Sequence, residues 1–83
     1  MDKILVTVHV PTIERNFDMF VPINVLTKDI VDYMQKSIHE LSGGYYVIKE
    51  KIILFDSMEG KLINQNNIVK FSGLKNGSHV LIL

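Results

Sequence analysis

The stretch TKDIVDYMQKSIHEL, Thr27 to Leu41, is where the hydrophobic period of the chain changes. Its apolar residues Ile30, Met34, Ile38 and Leu41 recur at spacings of three and four, which is one stripe along a helix. Thr27 is expected to be the N-cap, its hydroxyl accepting from the first free N–H groups, and Asp29 suits the positive end of the dipole. Gly43 and Gly44 supply the positive φ that ends a helix. On either side of this segment the pattern has period two. One amphipathic helix among alternating segments has only a sheet face on which to bury its stripe, so the class is α+β, in two layers.

Upstream, KILVTVHV puts Ile4, Val6, Val8 and Val10 on one side and Leu5, Thr7 and His9 on the other. Pro11 and Thr12 interrupt it, and RNFDMFV resumes with Phe17, Met19 and Val21 facing one way. Two such runs with a short connection read as an antiparallel hairpin. Pro22 closes the second strand, because it cannot donate to a ladder. Downstream, Ile52 to Phe55 read as a strand, with Tyr45 to Lys51 as an approach of unassigned conformation. Glu59-Gly60 turns into a short strand at Lys61 to Ile63. The polar passage NQNNIVKFSGL is expected to be anchored by Ile68 or Val69, with Phe71 and Leu74. Asn76-Gly77 turns the chain into a last strand, Ser78 to Leu83, with Val80 and Ile82 inward. The order is β-β-α-β-β-β over a single domain, residues 1–83.

Composition narrows the function. Eighty-three residues without cysteine leave no disulfide, thiolate nucleophile or thiolate metal site, so stability rests on the 47% of residues that are hydrophobic. Nine basic residues balance nine acidic ones, so no long-range attraction to nucleic acid or anionic lipid is expected. No signal peptide is read at the start, and no run approaches the roughly 18–20 apolar residues of a membrane span. A cytoplasmic protein is expected, reaching the inner face of the membrane only through partners.

Catalytic constellations are missing. Ser57, Ser72 and Ser78 lack the context of an activated serine, and EGKL is not a phosphate-binding loop. Asp56 and Glu59 flank a turn and are expected to solubilise it. Neither enzyme chemistry nor a cofactor is expected. His39, late in the helix, faces the negative dipole end.

The remaining signal is surface. The outward positions of the strands carry Leu5 and Thr7 near the start and Leu81 and Leu83 at the end. Leu54 joins them from the third strand, or Ile53 if the register shifts by one. Leu5, Thr7, Leu54, Leu81 and Leu83 are thus the expected partner-binding set, a contiguous apolar patch of the kind that marks protein interaction. The plain alternative is that these leucines are scattered, or covered by the Tyr45–Lys51 passage. Phe20, pointing away from Phe17 and Met19, is a second candidate.

The order of elements resembles the β-grasp fold of ubiquitin, and VPINVLTKDIVDYM resembles the passage in which ubiquitin's second strand gives way to its helix. GLKNGSHVLIL, Gly73 to Leu83, is similar to the C-terminus of the YukD/EsaB family, small ubiquitin-like proteins associated with type VII (WXG100) secretion in Gram-positive bacteria. The resemblance implies that the first and last strands pair, which would set His9 beside His79. Two imidazoles make a weak metal site at most, and no metal is expected. It also implies a non-catalytic adaptor that binds secretion components through its sheet face. Ubiquitin-type transfer needs a mobile Gly-Gly tail, and here Ile82-Leu83 stand in those places, so conjugation is not expected. The alternatives are a ubiquitin-like domain of a larger membrane component of the same system, a covalent modifier or sulfur carrier, and a homodimer formed through the outward leucines.

Overall fold

The computed structural model describes residues 2–83. Its strands are β1 (Lys3–Val10), β2 (Arg15–Pro22), β3 (Leu54–Asp56), β4 (Lys61–Leu62) and β5 (Ser78–Ile82), with one α-helix, α1 (Thr27–Leu41), after the hairpin. Short 3₁₀ turns cover Pro11–Ile13 and Val69–Phe71. The sheet runs in the order β2-β1-β5-β3-β4. β1 and β5 are parallel at its centre, and the other pairs are antiparallel. The β-β-α-β-β-β order is as the hydrophobic periods indicate, and the pairings make the sheet mixed.

Alternation decides the core. Val6, Val8 and Val10 from β1, Phe17, Met19 and Val21 from β2, and Val80 and Ile82 from β5 all turn to one face and are buried. Against them α1 lays Ile30, Val31, Met34 and Ile38, with Met34 and Ile38 fully enclosed. Leu41, expected on this stripe, is instead 61% exposed. It lies at the margin of the buried arc in the last turn, and Ser42 takes the inward place beyond it.

The start of α1 departs from the sequence reading. Leu26 is the N-cap, and Thr27 is the first helical residue, without a capping side-chain bond. The loop that precedes β5 satisfies the free donors instead: Thr27 N–H donates to the Asn67 carbonyl at 2.9 Å and Lys28 N–H to the Gln65 carbonyl at 3.1 Å. Helix ends need acceptors, and distant backbone carbonyls serve as well as a local hydroxyl. At the other end Gly43 and Gly44 adopt φ of 69° and 88°, and Gly44 N–H reaches the His39 carbonyl, the left-handed stop their sequence implies.

The Tyr45–Lys51 passage is neither strand nor helix. It is pinned by the buried amide of Gln35 on α1: Oε1 accepts from the Tyr46 hydroxyl and Lys49 N–H, and Nε2 donates to the Lys49 carbonyl. His39 adds a bond from Nδ1–H to the Tyr46 carbonyl at 2.7 Å, a role more specific than the expected dipole contact. In the next loop Val69 and Leu74 are the anchors, whereas Phe71 is 65% exposed. The 3₁₀ turn that carries Val69 inward swings Phe71 out, under the Lys70 ammonium. Asp56 is buried rather than solubilising, its Oδ1 accepting from Met58 and Glu59 N–H. It is the anchor of the turn into β4, as an aspartate bonding to its own following backbone.

Candidate functional site

α1 covers one face of the five-stranded sheet; the opposite face carries the expected site. Register assigns its occupants. β5 pairs with β3 as Leu54↔Ile82, Phe55↔Leu81 and Asp56↔Val80. Since Ile82 and Val80 are inward, so are Leu54 and Asp56. Leu54 is 1% exposed and belongs to the core, and this corrects its place in the expected set. The outward residue of β3 is Phe55, with Ile53 one step earlier on the same side. Phe55 also pairs with Leu62 of β4. Leu83 N–H bonds to the Ile53 carbonyl and continues the ladder.

Leu81 and Leu83 therefore lie with Phe55, Ile53 and Leu62 in one apolar cluster over β5, β3 and β4. Ile53, Leu62 and Leu83 are exposed, and Phe55 and Leu81 are half-buried among them. Leu5 is not part of this cluster. It pairs with Phe20 on β2, so the sequence's second candidate forms a separate apolar pair with it. Thr7 lies between the two patches: its hydroxyl donates to Asp18 Oδ1 at 2.7 Å, and it stands opposite His79. The single stripe expected from alternation is thus two patches divided by a polar lane.

That lane has a defined hydrogen-bond order. Asn16 Oδ1 can only accept, so His9 Nδ1 carries a proton toward it at 2.7 Å. In the neutral ring the Nε2 of His9 is then an acceptor, and His79 Nδ1–H donates to it at 3.0 Å. The imidazoles lie 5.3 Å apart between centroids. The β1–β5 pairing implied by the family resemblance brings them together. Among the described residues no group of three or more His, Cys, Asp or Glu side chains gathers as a metal centre would. A cleft of about 560 Å³ between α1 and the 50–53 segment alternates Lys28 and Lys51 with Asp32 and Glu50. Neither serine nor histidine lines it.

Alternation signalled Leu81 and Leu83, with Ile53 as the alternative to Leu54, but Phe55 and Leu62 were missed as site residues. Their signal was present in Asp56: a carboxylate followed by Ser57, Met58, Glu59 and Gly60 reads as a turn anchor. Placing it inward would have set Phe55 outward.

Neither a protein-family model nor a curated protein sequence matches the chain. Solved structures do match in shape. The ubiquitin-like domain of the type VII secretion system protein EccD1 from Mycobacterium tuberculosis superposes with a TM-score of 0.74 at 16% identity. That match covers 100% of this chain and 99% of the other. The EccD5 ubiquitin-like domain from Mycobacterium xenopi gives 0.64 at 12% identity, over 100% and 94% of the two chains. The ubiquitin-like domain of yeast Ddi1 gives 0.66 at 18% identity, over 99% and 88%. The fold is the ubiquitin-like β-grasp, with one helix packed on a five-stranded mixed sheet.

Proposed function

We propose that this chain is a non-catalytic docking module that binds a protein partner through its open sheet face, as an accessory of a type VII secretion machine of the YukD/EsaB kind. One observation carries the docking part: the cluster of Phe55, Leu81, Leu83, Ile53 and Leu62 on a sheet face that no other element among the described residues covers. Apolar side chains gathered on one flat face lose their water when a complementary surface closes over them, and a half-buried centre with an exposed rim is how such patches bind. Net charge of +0 favours association through apolar contact over electrostatic steering. The secretion part draws support from the likeness to the EccD1 and EccD5 domains, together with the resemblance of Gly73–Leu83 to the YukD/EsaB ending. No helix among the described residues is long and apolar enough to cross a membrane. The proposed place of action is the cytoplasm, at the membrane through partners.

The EccD1 likeness favours a second reading, since that structure is the ubiquitin-like domain of a named secretion protein. This chain would then be the corresponding domain of a larger membrane component, and the coding sequence downstream of Leu83 decides between the two.

The test is an affinity capture of the tagged protein from its own cells, run under native and fully denaturing conditions, with Leu81→Asp alongside. A carboxylate at the centre of the patch is expected to abolish capture of a native-only partner while the circular dichroism stays unchanged. Partner capture undiminished by Leu81→Asp removes the sheet face. Higher-mass species that survive denaturation replace docking with covalent transfer.

A further inference from the structure

We propose that Asn76 is a site of spontaneous deamidation that the folded chain holds closed, so that unfolding leaves an irreversible mark at the head of β5. The site is independent of the docking face.

The chemistry belongs to the dipeptide. Asn76 is followed by Gly77, whereas the other asparagines precede Phe17, Val25, Gln65, Asn67 and Ile68. The backbone nitrogen of Gly77, once base has taken its proton, can attack the side-chain carbonyl carbon of Asn76. The new N–C bond closes a five-membered imide, and the side-chain nitrogen leaves with a proton from water as ammonia. Water then opens the imide at either carbonyl. One opening gives aspartate in the normal backbone. The other gives isoaspartate, whose main chain runs through the side chain and is one atom longer. A Cβ on the following residue would crowd the attacking nitrogen, and glycine has none.

The fold engages both reacting groups with one residue of β1. Leu5 N–H donates to Asn76 Oδ1 at 2.8 Å, and Gly77 N–H donates to the Leu5 carbonyl at 2.7 Å. The proton that base must remove is therefore held in a short bond, and the carbonyl that must be attacked is tied to the neighbouring strand. Ser78 N–H donates to the Lys75 carbonyl at 3.0 Å and closes a turn. Gly77, third in that turn, has a φ of 88°, and Asn76, second, has no positive φ, which is the type II pattern. Closing the imide rotates the Asn76 backbone out of this turn, so attack requires both Leu5 bonds to open. Asn76 and Gly77 are exposed, and water and base reach them as soon as they do. The clamp stands next to the Val6–Ser78 pair of the β1–β5 ladder. An isoaspartate at 76, with its extra main-chain atom, cannot keep both Leu5 bonds and that register together.

The test incubates the intact protein at mildly alkaline pH, folded in buffer and unfolded in guanidinium chloride. A blocked peptide of residues Gly73 to Val80 in the folded protein's buffer removes the effect of the denaturant. Asn76 is read by peptide mass spectrometry, with fragmentation that separates aspartate from isoaspartate. The peptide and the unfolded chain are expected to convert at Asn76, the unfolded chain ahead of its other asparagines. The folded chain is expected to convert roughly thirtyfold more slowly than the peptide, the opening factor of two ordinary hydrogen bonds. Gly77→Ala is expected to slow the unfolded reaction, a readout that needs no folded state. Refolded chains carrying isoaspartate are expected to denature at lower denaturant than the parent, whereas Asn76→Asp, which keeps the backbone and an acceptor for Leu5, holds its midpoint. Equal rates in peptide and folded protein, faster conversion in the folded protein, no conversion in any arm, or an isoaspartate chain as stable as the parent overturns the proposal.

Discussion

Thr27 shows how one side chain can be correct in type and different in role. The residue stands where a threonine cap is expected, but its Oγ1 is buried and has no hydrogen-bond partner. Its backbone N–H is already held by Asn67, so nothing requires the hydroxyl. A buried, unsatisfied hydroxyl costs free energy that an isosteric methyl does not. Thr27→Val is therefore expected to stabilise the fold by up to about 1 kcal/mol, read from urea denaturation. A loss of that size instead would show that the hydroxyl caps the helix in solution. Leu54 carries the complementary lesson. Its type suits either face of a strand, and only its pairing with Ile82 places it inside.

At the scale of elements, the Tyr45–Lys51 passage depends on α1 more than on its own sequence. Gln35 replaces the ladder partners this segment lacks, and its loss would leave Lys49 N–H and the Tyr46 hydroxyl without acceptors. Gln35→Ala is expected to cost about 2–4 kcal/mol, from more than one lost bond at a buried amide, with new proteolytic cleavage confined to residues 45–51. Cleavage spread over the whole chain would instead mean that the loop and the core unfold together. The burial of Tyr46 gives an alkaline signature. Burial pushes the Tyr46 phenol above its usual 10.0, so the folded state holds that proton more tightly than the unfolded chain. The resulting stability is complete below about pH 10 and is lost as pH rises through the higher folded value. Tyr46→Phe is expected to flatten that part of the alkaline decline in Tm. An unchanged slope would assign it to other groups.

For the whole molecule, the two faces of the sheet are expected to separate stability from binding. Met34, fully enclosed beneath α1, is predicted to cost about 2–5 kcal/mol on truncation to alanine, from lost transfer energy and the cavity left behind. Leu81→Asp, on the open face, is expected to leave the denaturation midpoint nearly unchanged while binding is lost. If Leu81→Asp destabilises as much as Met34→Ala, the open face serves the fold rather than a partner. The central β1–β5 pairing makes this division possible, because it joins the two ends of the chain and leaves all their inward valines in one layer.

Most of the architecture is local in origin, and that is why it could be read from residues alone. The change from period two to period three-four at Thr27 separates strands from helix. The glycines at 43, 44 and 77 take the positive φ that their turns require. The inward sets of β1, β2 and β5 follow from alternation without exception. What the tertiary structure alone decided are properties of pairs distant in sequence: the register of β3 on β5, the carbonyls of 65 and 67 that cap α1, and the Gln35 anchor of the 45–51 passage. Leu54 and Phe55 can exchange faces with a one-residue slip. A short strand with a carboxylate at an inward position has no period of its own to prevent it, and only its partner strand does.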